Sequence, residues 1–70
     1  MISLGYNIKL ARERAGMSQV ELSKKSGVSR VTIWALETVP DYVTTTKTLY
    51  KIAEALNTTV DALFSPGPSA

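Results

Sequence analysis

The chain contains no cysteine and no histidine. That inventory excludes disulfides, thiol nucleophiles, His-dependent catalytic triads and the usual zinc sites. Absence of disulfides fits a reducing cytoplasm. Aromatic residues are scarce: one tryptophan, three tyrosines and one phenylalanine. No apolar run approaches the roughly 20 residues needed to cross a membrane. The first residues lack a basic segment leading into an apolar one, so no signal peptide is expected. Charge of one sign is also in short supply. Eight Lys and Arg against six Asp and Glu leave a formal +2, which permits a polyanionic partner without demanding one. There is no glycine-rich phosphate loop; Gly16 and Gly27 read as helix stops. Glu13, Glu21, Asp41 and Glu54 stand apart and form no paired-carboxylate constellation. Seventy residues allow one small domain, with little room for a substrate cavity. No enzymatic activity, metal or cofactor is expected.

What is present centres on Met17 to Thr38, MSQVELSKKSGVSRVTIWALET. Ser18 is a good N-cap, and Glu21 three residues later completes a capping box. Met17 and Leu22 stand at hydrophobic-staple positions. Gly27 supplies a left-handed stop, Ser29 can cap a second helix, and Val28 with Ile33 repeats the staple. Two helices joined by so short a Gly-containing turn make a helix-turn-helix, over about 18–37.

Around it the periodicity predicts three more helices. Ser3 can cap a first one reaching about Ala15, with Leu4, Ile8, Ala11 and Ala15 on one face and Arg12 beside it. Leu10 lies off that stripe. In the second helix, Gln19 to about Lys25, Leu22 and Ser23 turn inward; in the third, Arg30 to about Thr38, Ile33 and Leu36 do. Arg30, Val31, Trp34 and Ala35 point elsewhere. Pro40 interrupts the connection from Val39 to Thr44. A fourth helix spans about Thr46 to Leu56 on a stripe of Leu49, Ile52, Ala53 and Leu56, and Asn57 is a left-handed stop. Thr59 can cap a last helix, Val60 to Phe64, whose Val60, Leu63 and Phe64 close the core. No stretch alternates convincingly with period two. The expected fold is all-α, a five-helix bundle over 1–64, with 65–70, SPGPSA, as a flexible tail or linker.

These residues carry a resemblance. Ile8-x-x-x-Arg12, Met17-Ser18-Gln19, Glu21-Leu22-Ser23, Gly27-Val28-Ser29, Ile33-x-x-Leu36-Glu37, Leu49-x-x-Ile52-Ala53-x-x-Leu56 and Val60-Asp61-x-Leu63-Phe64 resemble, in order and spacing, the Cro and phage-repressor type of helix-turn-helix domain, the Xre-like regulators. A fold hosts many functions, so this speaks for the fold more strongly than for one promoter. Two departures stand out. Ser23 replaces the family's usual alanine against the turn, and its hydroxyl needs a partner. Glu37-Thr38-Val39-Pro40 and a run of threonines replace the family's glycine after the glutamate and its proline near helix four. Backbone and dimer contacts of that connection therefore carry over only loosely.

The resemblance implies that the helix 30–38 enters the major groove while its predecessor crosses the backbone. It places Arg30, Val31, Trp34 and Ala35 on the groove side. Arg30 has a planar fork suited to guanine O6 and N7; the plainer alternative is a surface arginine touching phosphate. Val31 and Ala35 could meet thymine methyls or simply allow close approach. Trp34 fits the rim of a DNA interface, against the alternative that it packs sideways on the protein. Gln19 and Ser29, at helix N-termini, are phosphate candidates, joined by Thr32 and Lys24; the plain readings are a cap for Ser29 and a solvated charge for Lys24. In the family the residue at Gln19 also braces the next helix. Arg12 with Glu37 is implied to be a semi-buried structural ion pair.

Two functions follow. The first is a sequence-specific double-stranded DNA-binding transcriptional regulator, a repressor acting as a homodimer on a two-fold operator, cytoplasmic and nucleoid-associated when bound. The second is an interaction module of the same fold, antitoxin-like or partner-binding, with weak DNA binding. Leu10, Val20, Tyr42, Val43 and Tyr50 are candidate apolar surface for a dimer or a regulatory protein partner.

Overall fold

The computed structural model describes residues 4–64. They run through α1 (Leu4–Arg14), α2 (Gln19–Ser26), α3 (Arg30–Thr38), α4 (Thr46–Ala55) and α5 (Val60–Phe64), with no strand among the described residues. Each helix gives the centre one side chain wholly withdrawn from solvent: Ile8, Leu22, Ile33, Ile52 and Leu63. Burying such a side chain is worth about 1.5–3 kcal/mol, so these five hold the bundle's topology. Val28, Leu36, Ala53, Ala55 and Leu56 fill in around them, with Leu4, Ala11, Met17 and Val60 packed at the margin. α3 lies against α1 and α2, α4 against α2 and α5, and α5 returns to α1.

The helix ends follow local chemistry. At α2 the Glu21 N–H donates to Ser18 Oγ at 3.0 Å and the Ser18 N–H donates to Glu21 Oε1 at 2.9 Å, a complete capping box. Ser29, Thr45 and Thr59 accept from the N–H groups of Thr32, Thr48 and Ala62 in the same way. Gly27 closes α2 in the left-handed region at φ 75, its N–H donating to the Ser23 carbonyl. Asn57 takes φ 59 after α4, and the N–H groups of Asn57 and Thr58 return to the carbonyls of Glu54 and Ala53. The expected cap at Ser3 and the tail 65–70 lie outside the described residues.

Three expectations need correction. Ala15 is exposed, because α1 ends at Arg14 and the chain turns away through Gly16 at φ 71. Phe64 is 57% exposed and does not close the core; Leu63 fills that role, since adjacent helical residues point about 100° apart and α5 turns Leu63 to the bundle. Ala35 is buried, for a reason that belongs with the geometry of α3 below.

α1 also approaches α3 more closely than its apolar stripe suggests. A Cβ on Gly5 would overlap the backbone carbonyl oxygen of Leu36. Beside it, buried Asn7 donates from Nδ2 to the Leu63 carbonyl at 2.7 Å, fastening α1 to the end of α5. In the connection after α3, the Tyr42 N–H donates to the Val39 carbonyl at 3.3 Å, with Asp41 at φ 56. Proline second and a left-handed residue third is the arrangement of a type II turn. No described helix is long and apolar enough to cross a membrane.

Candidate nucleic-acid interface

At about 100° per residue, α3 divides into two arcs. The inner arc, about 200° wide, runs from Ala35 through Thr32, Leu36 and Ile33 to Glu37, all buried or half-buried. The outer arc holds Arg30, Trp34, Thr38 and Val31, all exposed. The inner arc is this wide because α1 and α2 both pack on α3. Ala35 sits at its edge, and a single methyl there disappears beneath the packing. Its expected place among the groove-facing residues is therefore corrected; only Arg30, Val31 and Trp34 of that set are presented. Thr38 joins them, a residue the sequence reading passed over, with its hydroxyl donating to the Trp34 carbonyl at 2.6 Å.

The turn that presents α3 is held by hydroxyls. Ser23 Oγ donates to the Val28 carbonyl at 2.6 Å, which supplies the partner its position requires. Ser26 Oγ accepts from the Val28 N–H at 3.1 Å. Ser29 Oγ accepts the Thr32 N–H and also donates to Thr32 Oγ1 at 2.9 Å. The Ser29 and Thr32 hydroxyls thus sit together at the head of α3.

Behind α3 lies an ion pair. Arg12 donates from Nε to Glu37 Oε2 at 2.8 Å and from Nη2 to Glu37 Oε1 at 3.0 Å. A third bond runs from Nη1 to the Met17 carbonyl at 2.8 Å. The Glu37 side chain is 1% exposed. Hydrogen bonding to Glu37 is the main reason the guanidinium is held above its ordinary pKa, against the opposing effect of burial. Gln19, the first residue of α2, donates from Nε2 to Glu37 Oε1 at 3.2 Å. One carboxylate thus ties the end of α1, the start of α2 and the end of α3 together. The first-turn N–H groups of Gln19 and Val20 have no acceptor within their own helix, so this clamp fixes an electropositive helix end beside the outer arc.

Gln19, Arg30, Val31 and Trp34 line one open recess of about 240 Å³. That is below the roughly 300–1,000 Å³ of clefts that enclose small-molecule ligands. Among the described residues the Arg30 guanidinium has no hydrogen bond or ion pair. Lys24 is exposed toward the far end of α2, away from the lining of that recess. No group of three or more metal-ligating side chains is assembled among the described residues.

A helix-turn-helix family model matches residues 8–63. The chain belongs to the helix-turn-helix family. That membership supports DNA-binding regulation as its broad role. Over 53 residues, 76% of its length, the chain is 42% identical to the antitoxin HipB of Escherichia coli (strain K12), and it spans 59% of that relative. A crystal structure of Fe(II) HppE in complex with substrate superposes on 93% of the chain with a TM-score of 0.79 and 28% identity, the match covering 36% of that longer chain.

Proposed function

We propose that this chain is a sequence-specific double-stranded DNA-binding transcriptional repressor, cytoplasmic and without enzymatic activity or cofactor, that inserts α3 into the major groove. The observation that carries this is the outer arc of α3. A free guanidinium, a bare isopropyl group and an indole project from it while the opposite arc is locked into the bundle. A helix fits the major groove, and its N-terminal residues are those that reach base edges in this motif. Arg30 grips guanine; the second amide proton of Gln19, the α2 N-terminus and the Thr32 hydroxyl take phosphates; Lys24 adds diffuse attraction.

One module of this size contacts few base pairs, so two copies act together on a two-fold operator with half-sites about 34 Å, one helical turn, apart or a multiple of it. Exposed Tyr42 and Val43 follow within a few residues of the groove-entering helix. Selection of bound duplexes from a random library at two salt concentrations tests the reading. An inverted repeat with turn-spaced half-sites is expected. Salt-sensitive binding with no enriched sequence would leave only the phosphate contribution and defeat it.

The identity with an antitoxin favours a second reading, a module whose main work is to hold a protein partner. Half-buried Leu10 and exposed Val20, Tyr42, Val43 and Tyr50 are then the contact candidates. Under that reading Arg30→Ala leaves partner capture unchanged, whereas under the first it relaxes base preference.

A further inference from the structure

The recess at the head of α3 has walls of unequal chemistry. Arg30 brings a planar cation with several donors, and Gln19 brings an amide already tethered to Glu37. Val31 and Trp34 bring apolar surface, Val31 being 73% exposed and Trp34 52%. Val31 has no hydrogen-bonding group at all. A base edge that placed an amino or carbonyl group against it would leave that group without its water and without a partner, at a net cost. The apolar group that the major groove offers is a pyrimidine C5-methyl. Because all four residues line a single recess, what meets Val31 and Trp34 lies close to what meets Arg30.

We infer that this recess seats the C5-methyl of a pyrimidine neighbouring the guanine held by Arg30, so that each half-site carries a 5-methylpyrimidine next to a guanine. The inference rests on the operator reading and narrows it. Arg30 supplies the polar half of the recognition, and Val31 and Trp34 supply a methyl-sized apolar half. The methyl can belong to thymine or to a methylated cytosine, which present the same group at the same place in the groove.

The test uses the half-site obtained from the duplex selection. Each thymine is replaced in turn by deoxyuridine, which removes the methyl and leaves pairing intact. Separately, each cytosine is compared with its 5-methyl form. Burial of one methyl-sized group corresponds to about a fourfold change in affinity, expected at one position adjacent to the guanine whose preference Arg30→Ala abolishes. A loss with deoxyuridine assigns thymine; a gain with 5-methylcytosine assigns the methylated base. Val31→Ser, at a position 73% exposed, should bring that ratio close to one while thermal unfolding stays unchanged, and Trp34→Ala, whose indole is half covered, should do the same with a lowered thermal midpoint. Selective binding that ignores every methyl overturns the inference and leaves the operator reading standing. So does a methyl effect that survives both variants. Binding with no sequence selectivity at all overturns the operator reading, and the methyl seat falls with it.

Discussion

The two arcs of α3 differ in what fixes them. The inner arc is specified by its neighbours: Ile33 and Leu36 by the core, Glu37 by Arg12 and Gln19, and the Leu36 carbonyl by the close approach of Gly5. The outer arc is specified by none of these. Arg30, Val31 and Trp34 meet solvent where a stability-driven sequence would favour small helix formers or paired charges. The difference separates two kinds of constraint within nine residues. Inner-arc residues answer to folding, and outer-arc residues answer to a partner. Substitutions on each side therefore have different readouts, and that separation can be broken.

The largest effect is expected from Glu37→Ala. It strands the buried Arg12 guanidinium with only the Met17 carbonyl and releases the Gln19 amide. Removing one partner of a buried pair costs about 3–5 kcal/mol, comparable with the whole stability of a domain this small. Circular dichroism should find the variant largely unfolded at 25 °C. An Arg12→Met, Glu37→Leu double variant should recover most of the loss, because no buried charge is left unpaired. If Glu37→Ala melts like the parent, the ion pair does not anchor the inner arc.

Gly5→Ala comes next. The added methyl meets backbone rather than a flexible side chain, so α1 and α3 must move apart. Overpacking of this kind costs about 1–3 kcal/mol, partly offset by the better helix propensity of alanine, about 1 kcal/mol. A net lowering of the urea midpoint with an unchanged slope is expected; a gain in stability would show that the helices part freely.

Crossing to the outer arc, Arg30→Ala should leave the urea midpoint unchanged within about 0.5 kcal/mol. It should lose about 1–3 kcal/mol of discrimination at one base pair in competition binding. A drop in stability with selectivity preserved would erase the distinction between the arcs.

Much of the scaffold was legible because its signals are local. A cap needs a hydroxyl three residues before an N–H, and Ser18, Ser29 and Thr59 stand at that distance. The left-handed stops at Gly27 and Asn57 are likewise single-residue signals. Illegible features are those set by distant neighbours. Asn7 finds its acceptor 56 positions away at Leu63, and no periodicity marks an asparagine as a tether. Gly5 matters only because of where α3 passes. Ala35 was misplaced because a wheel shows direction but not how many helices flank it, and two flank α3. At the site, Arg30, Val31 and Trp34 were readable as non-core positions, whereas Thr38 was masked by its place at the helix end.

The smallest predicted effect probes the junction where α2 begins, beside Gln19. The Ser18 N–H and hydroxyl hold the Glu21 carboxyl below its ordinary pKa. The sign follows from linkage. A carboxyl with a depressed folded pKa contributes stability that is fully present above its unfolded value and is lost as pH falls through the folded one. Glu21 is fully solvent-exposed, so the contribution is screened and modest. Thermal midpoints of the parent and of Glu21→Gln should therefore differ most near neutrality and converge in the acid range below the ordinary glutamate pKa. The glutamine can still accept from the Ser18 N–H but does not titrate, so convergence isolates the charge from the hydrogen bond. Parallel curves across that range would mean the box is held by geometry alone. Glu21 would then be a cap without an electrostatic part, and the two reciprocal bonds with Ser18 alone would fix the start of α2.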